Sequence, residues 1–295
     1  MRRFRRVAVL MGGPSDEREV SLRSGRAVAQ ALRTAGYEVA EVVVDDGLPT
    51  LPAQTEAVFI ALHGRFGEDG QVQCWLQQRG MPYTGSGPES SSASFDKRIS
   101  KRIFESAKIP TPAWAVARAG DPCPLPLPVV VKPPRQGSSI GARKVAMESE
   151  WAAALEAALR YEEEALVEAF IPGRELTVGM LDGQPLPVIE IHARGGWYGY
   201  EEKYTPGLTR YDVPARLSAT VTKRAQALAV ETYRALGCRG MGRVDFRMTP
   251  EGDLFVLEMN TVPGFTETSL LPKAAGAAGL SFSDLCARIL EKAAL

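Results

Sequence analysis

Met241-Gly242-Arg243-Val244-Asp245-Phe246-Arg247-Met248 and Leu254-Phe255-Val256-Leu257-Glu258-Met259-Asn260, joined by Thr249-Pro250-Glu251-Gly252-Asp253, decide how the rest of this chain is read. Strand side chains alternate between faces, so Val244, Phe246 and Met248 are expected on a core while Arg243 and Asp245 face away from it. On the second strand, Phe255, Leu257 and Met259 are expected on one face. Leu254 and Val256 lead into Glu258 and Asn260 on the other. The Pro-Glu-Gly-Asp segment supplies the dihedral angles of a reversal, which makes the strands antiparallel neighbours. The expected register sets Arg243 opposite Glu258 and gathers all four polar groups on one face; a slip of one residue separates them. Two carboxylates and an amide oxygen are hard ligands suited to Mg²⁺, and a guanidinium beside them stabilises developing negative charge. A solvated sheet face with ordinary charge pairs shows the same alternation.

A chain of 295 residues is long enough for about two domains or three small lobes. Apolar residues make up 45% and charged residues 24%, the balance of a globular protein. Lys plus Arg equals Asp plus Glu at 35 each, so no nucleic acid or membrane is expected as a bulk partner. The basic start, Met1 to Arg6, is followed by an apolar run only from Val7 to Met11, too short for a signal peptide, and no stretch has the length to span a bilayer. Cys74, Cys123, Cys238 and Cys286 lack paired spacing. They are expected as reduced thiols of a cytoplasmic protein. His63 and His192 are too few for a His-rich metal site.

Strand, helix and strand alternate through the first lobe: Arg6 to Met11, a helix to Ala35 closed by Gly36, Tyr37 to Val44, Ala57 to Leu62, and a helix through Arg79 closed by Gly80. That alternation predicts a parallel sheet, with ligands beyond the C-terminal ends of its strands, where Gly12 to Ser15 and His63 to Gly70 lie. The expected divisions are an α/β lobe at 1–87 and two α+β lobes at 88–173 and 174–295. The middle lobe has a basic helix Asp96 to Ala107, proline-rich connections from Pro110 to Pro128, strands Val129 to Lys132, Ala142 to Val145 and Ala165 to Phe170, and a helix Ser149 to Tyr161. The third opens with strands Arg174 to Leu181 and Pro185 to His192 around the Asp182-Gly183 turn. Ala193 to Val213 reads as a long functional loop, and helices start at caps Ser218 and Ser281.

Lys132 ends a strand, and the Gly- and Ser-rich turn to Gly141 after it can cradle phosphate oxygens; it is not a Walker A loop, and a plain Gly-rich hairpin fits equally. Lys97 and Lys101, one helical turn apart, form a cationic face that is ordinarily solvated. Glu168 to Glu175 has the form of an adenine slot between lobes, or of an ordinary interlobe strand. His63 and Glu17 lie where a parallel sheet presents a site.

Together, Gly12 to Ser21, His63 to Gly70, Tyr83 to Gly87, Asp96-Lys97, Lys132 to Gly141, Glu202-Lys203-Tyr204, Gly242 to Asp245, Leu257 to Thr266 and Ser269 to Pro272 resemble the D-alanine–D-alanine ligase family in content and order. The resemblance runs from about Gly12 to Pro272. It implies an ATP-grasp fold whose two α+β lobes enclose a nucleotide. It also implies ATP-dependent joining of two D-alanines through an acyl phosphate, for peptidoglycan synthesis, in a cytoplasmic homodimer.

By matching positions, Asp245, Glu258 and Asn260 would hold two Mg²⁺ ions, with Mn²⁺ as a substitute, and Lys97, Lys132 and Lys203 would contact phosphates. Arg243 and the Gly264 N–H would form an oxyanion site. Glu17 would anchor the first substrate's ammonium and join Ser138 and Tyr204 in a hydrogen-bonded triad. Ser269, with Leu270, would bind the second substrate, and His63 would lie near the first. Glu168, Ala169, Ile171 and Glu175 would take adenine and ribose. Tyr204 favours an amine nucleophile, whereas relatives that make depsipeptides commonly place a His there. Gln136 and Pro14 depart from residues expected in some relatives. A D-lactate or D-serine ligase, and a nucleotide-binding regulator without chemistry, are the competing readings.

Overall fold

The protein's computed structural model describes residues 2–194, 198–199, 202, 205, 207–266 and 269–295. Its strands β1 (Arg6–Gly12), β2 (Glu38–Val44) and β3 (Ala57–Ile60) form a parallel sheet in the order β2-β1-β3. Helix α1 (Arg18–Thr34) lays Val28 and Leu32 on this sheet. Gly25 lets it come close, because a Cβ there would meet the Met11 Cβ at 2.4 Å. Helix α2 (Gln71–Gln77) follows the His63 loop. Then come α3 (Pro88–Phe95) and α4 (Lys97–Ser106), the latter capped by the Asp96 carboxylate, which accepts the Arg98 N–H at 3.0 Å.

The middle sheet is antiparallel, in the order β4-β7-β5-β6, from β4 (Trp114–Ala117), β5 (Val129–Lys132), β6 (Arg143–Val145) and β7 (Ala165–Ala169). Helix α5 (Trp151–Leu159) covers it with Trp151, Leu155 and Ala158. Strand β4 sits inside a run expected to be proline-rich connection only. Four residues free of proline, Trp114-Ala115-Val116-Ala117, suffice for an edge strand.

The third sheet has the order β10-β9-β8-β11-β12 and is made from β8 (Arg174–Leu181), β9 (Gln184–Ala193), β10 (Thr209–Asp212), β11 (Met241–Met248) and β12 (Leu254–Asn260). Strand β10 occupies the end of the segment expected to be loop from Ala193 to Val213. Helix α6 (Ala219–Ala235) starts at the Ser218 cap and packs Ala225, Leu228 and Ala229 on the sheet. The chain ends in α7 (Leu270–Ala277) and α8 (Phe282–Glu291).

The register of β11 on β12 corrects the expected one. Arg243 lies opposite Asn260 and Asp245 opposite Glu258, with an irregularity after Asp245 that brings Phe246 opposite Val256. Leu257 is therefore an extra residue, a bulge. It also overturns the face expected for the first half of β12. Leu254 and Val256 are buried in the core with Met259, while Phe255 is only partly buried and Leu257 turns to the same cleft as Glu258. The four polar groups still share one face, because the register differs by two residues rather than one.

The cores cross the lobe divisions expected from the sequence. Phe104 and Ile109 pack with Leu176, Leu228 and Phe246 beneath the third sheet. Leu285, Ile289 and Leu290 of α8 pack with Leu10, Leu32 and Phe59 beneath the first. Tyr83 bridges Val58 on one side and Ala294 on the other, which ties the chain's end to the first sheet.

Candidate active site

Two cavities adjoin where the sheets meet. The first is polar and is lined by residues from all three lobes, among them Glu17, His63, Ser138, Arg243, Asn260, Gly264, Ser269 and Leu270. The second is more apolar and is lined by Val130, Lys132, Ile140, Glu168, Ala169, Phe170, Ile171, Glu175, Asp245 and Leu257. Lys97, Gln136, Tyr198 and Glu258 belong to both walls. These shared residues mark the place where a group bound in one cavity can reach a group bound in the other.

The β11 and β12 side chains stand at that junction. The Asp245 carboxylate accepts the Thr177 hydroxyl at 2.6 Å and a forked pair from Arg243, Nε at 2.8 Å and Nη2 at 2.7 Å. Burial works against the Arg243 charge, but Asp245 holds the guanidinium firmly protonated. Glu258 Oε2 lies 3.2 Å from the Lys97 ammonium. Asn260 Oδ1 accepts the Val262 N–H at 3.1 Å and keeps a second lone pair. Two carboxylates opposed across the ladder, with an amide oxygen beside them, are a donor set that suits a small divalent cation.

Around the first cavity, Ser138 donates to the Glu17 carboxylate, joining the middle lobe to the first. Ser138 and Ser139 hold φ of 50° and 58°, a left-handed pair that turns the loop after β5 over the cavity. A Cβ at Gly137 would meet Glu17 Oε2 at 2.4 Å, so a side chain there would displace the carboxylate. His63 is buried between the Val262 carbonyl, 3.1 Å from Nδ1, and the Ser24 hydroxyl, 3.2 Å from Nε2. Burial lowers its pKa, so the ring is neutral. Ser269 stands at the N-cap position of α7, and its hydroxyl turns back to accept the Thr266 N–H at 2.9 Å. A Cβ on Gly264 would meet that hydroxyl at 2.8 Å, which explains the glycine. The helix start gives this corner of the cavity a partial positive charge suited to a carboxylate.

Around the second cavity, Glu168 receives Lys132 at 2.5 Å on one oxygen and Lys101 on the other. Lys97 and Lys101 are both buried and paired, which corrects the solvated cationic face expected of them. The Lys97 ammonium also donates to the Gln136 carbonyl at 2.9 Å, pinning the loop after β5. Glu175 pairs with Arg247 at 3.2 Å, and Arg247 holds the Ile171 carbonyl at 3.0 Å. Lys203 and Tyr204 lie outside the described residues.

Sequence reasoning missed two residues in these walls and one buried behind them. Glu68 is buried in the first cavity and accepts the Gly64 N–H at 2.7 Å; burial, then repulsion from Glu17, raises its pKa to about 8. Its signal was its place four residues beyond the Gly64 that ends the strand-to-loop crossing. Tyr198 fills the wall between the cavities, its hydroxyl 3.1 Å from that of Tyr211 and its carbonyl accepting the Ser139 hydroxyl at 3.2 Å. The aromatic density of the 197–204 segment pointed to it. Lys101 is the third. Elsewhere, Glu190, His192 and Asp212 bring three ligand atoms within 4.8 Å of one another. Arg174 and Arg210 pair with their carboxylates and Arg216 lies at 4.0 Å, so this is an ion-pair network and a poor cation site.

The chain is similar to known proteins over nearly its whole length. Residues 6–50 and 45–86 match the D-ala D-ala ligase N-terminus family, and residues 120–291 match the D-ala D-ala ligase C-terminus family. The chain is 51% identical over 296 residues to a D-alanine–D-alanine ligase of Syntrophotalea carbinolica, covering 99% of this chain and 97% of that one. It is 47% identical over 287 residues to one of Methylacidiphilum infernorum, covering 97% and 95%. The crystal structure of D-alanine–D-alanine ligase from Bacillus anthracis superposes with a TM-score of 0.86 at 34% identity, over 97% of this chain and 96% of that one. This chain belongs to the D-alanine–D-alanine ligase family and has its ATP-grasp fold.

Proposed function

We propose that the chain joins two D-alanine molecules to D-alanyl-D-alanine, with ATP as co-substrate, to supply peptidoglycan synthesis. The observation that carries this is the placement of Arg243, Asp245, Glu258 and Asn260 on one face at the junction of a polar and a more apolar cavity. ATP takes the second cavity, its base against Ala169, Ile171 and Leu257, its ribose toward Glu175, and its phosphates toward Lys97, Lys132 and Lys203. The amino acids take the first. Glu17 receives the ammonium of the first D-alanine, with His63 beside it. The start of α7 at Ser269 and Leu270 receives the carboxylate of the second.

A carboxylate is a poor electrophile, so the first D-alanine carboxylate takes the γ-phosphoryl group, and the amine of the second then attacks the acyl phosphate. Positioning and charge neutralisation carry most of that rate. Arg243 and the Gly264 N–H face the oxyanion that forms during attack. Asp245, Glu258 and Asn260 would hold two Mg²⁺ ions, or Mn²⁺ in their place, which supply neutralisation of phosphate charge when bound. The Glu17–Ser138 hydrogen bond closes the middle lobe over the first substrate. Such closure excludes water from the acyl phosphate.

Family membership also supports a cytoplasmic homodimer divided into lobes at 1–87, 88–173 and 174–295, and no helix among the described residues is long and apolar enough to cross a membrane. Purified protein given ATP, Mg²⁺ and D-alanine releases phosphate and dipeptide in equal amounts. Phosphate without dipeptide rejects the reading. With D-lactate or D-serine added, D-alanyl-D-alanine remains the main product, and a depsipeptide or a mixed dipeptide in its place moves the assignment to a sister ligase.

A further inference from the structure

Lys101 has no accessible surface, an exceptional place for a lysine. Its ammonium has two partners: it donates to the Thr111 hydroxyl at 2.5 Å and pairs with one oxygen of Glu168. Thr111 in turn donates to the Val256 carbonyl at 2.7 Å, so the lysine joins α4 to the middle and third sheets behind the second cavity. The other Glu168 oxygen receives Lys132 at 2.5 Å, and Lys132 and Glu168 both line that cavity, whereas Lys101 does not. Two ammoniums thus share one carboxylate, and the set carries one positive charge in excess. Burial in a medium of low polarity makes that excess strong, since little water screens it. Burial opposes the Lys132 charge, but Glu168 and Glu258 hold its ammonium above the ordinary lysine range.

We propose that Lys101 is a positioning residue for the nucleotide: by taking one side of Glu168 it leaves the Lys132 ammonium with charge to spare for the polyphosphate in the cavity beside it. The inference rests on the assignment of that cavity to ATP. Without Lys101, Glu168 and Lys132 neutralise each other, and the cavity loses its attraction for a tetra-anion while keeping its shape. Removing the Glu168 charge as well returns the excess to Lys132.

The test compares binding of ATP and of adenosine, which lacks phosphates, by calorimetry in the wild-type protein, Lys101→Met and the double variant Lys101→Met/Glu168→Gln. Lys101→Met weakens ATP about tenfold or more, leaves adenosine within about twofold, and raises the KM for ATP with little change in kcat at saturation. The double variant recovers most of the ATP affinity relative to that for adenosine, a ratio from which any contact of Glu168 with the base or ribose cancels. Equal weakening of ATP and adenosine in Lys101→Met, or a ratio in the double variant no better than in the single one, overturns the proposal.

If Lys101→Met does not fold, the wild-type protein supplies the same comparison between pH 7 and pH 9.5. Burial lowers the Lys101 pKa to about 8, with Glu168 on β7, Lys132 on β5 and Glu258 on β12 as the charges facing it. ATP binding then weakens above about pH 8 while adenosine binding stays flat; an unchanged ATP affinity counts against the idea. A wild-type protein that binds no ATP at any pH refutes the ligase reading itself, which is a different failure.

Discussion

Glu17 and Glu68 are two acids buried on one wall of the polar cavity, and only Glu17 has a hydroxyl donor from another lobe in Ser138. Glu68 has the Gly64 N–H. With its pKa raised to about 8, Glu68 binds a proton in the folded chain between about pH 4.5 and pH 8 that it lacks in the unfolded chain. Stability therefore falls as pH rises through that window, by at most about 1.4 kcal/mol per pH unit. Glu68→Gln, which mimics the protonated acid, should flatten the fall, so its melting temperature exceeds the wild type's by a margin that widens from pH 5 to pH 8. A constant margin would remove the buried proton. Arg243 invites a sharper measurement. Its fork to Asp245 positions it, and Arg243→Gln should lower kcat by about 10²–10³-fold while ATP still raises the melting temperature; loss of both in step would deny it a role confined to the reaction. Arg243, Asp245, Glu258 and Asn260 were legible because strand alternation is a local rule. Glu68 and Lys101 were not, since an acid in a loop or a lysine on a helix reads as solvated until its distant neighbours are known.

The bulge in β12 shows how one residue in an element changes what a site can hold. Val256 must reach the core and Glu258 must reach the cleft, and in an unbroken strand these two would share a face. The extra residue resolves the conflict and places Leu257 in the cleft beside Phe170, Ile171 and Glu258. Alternation alone put Leu257 in the core and Val256 opposite it, because a bulge leaves no mark in a short run of apolar residues. The turn Thr249 to Asp253 was legible, and its closing bond, Thr249 N–H to the Asp253 carbonyl at 2.9 Å, fixes the start of the ladder. From the cleft position follows a specific outcome. Leu257→Ala should raise the KM for ATP roughly tenfold, the loss of about 1.5 kcal/mol of apolar contact, with the KM for D-alanine and the melting temperature little changed. A large drop in melting temperature would return Leu257 to the core.

Over the whole molecule, chain order and packing order part company at the C-terminus. Helix α8 follows the third lobe in sequence, yet Leu285, Ile289 and Leu290 pack with Leu10, Leu32 and Phe59 of the first core, and the Tyr37 hydroxyl donates to Glu291 at 2.6 Å. Three sheets in succession were legible from the alternation of strands and helices, but this return was not, because an amphipathic helix announces a buried stripe without naming its partner. The return matters for the site, since β1 and β3 lead into the loops that carry Glu17 and His63. Chains lacking Phe282–Leu295 should therefore lose protection in the first sheet first. Amide hydrogen exchange across Val7 to Met11 should speed by about a hundredfold or more while that across Val244 to Met248 in β11 changes little, a difference expected when one packed unit opens locally and another does not. Turnover should fall with it, and ATP should still protect the third sheet, because its cavity is built from the other two lobes. Equal loosening of β1 and β11 would mean that the three cores unfold as a single unit and that α8 steadies the whole molecule rather than the floor of the amino-acid cavity.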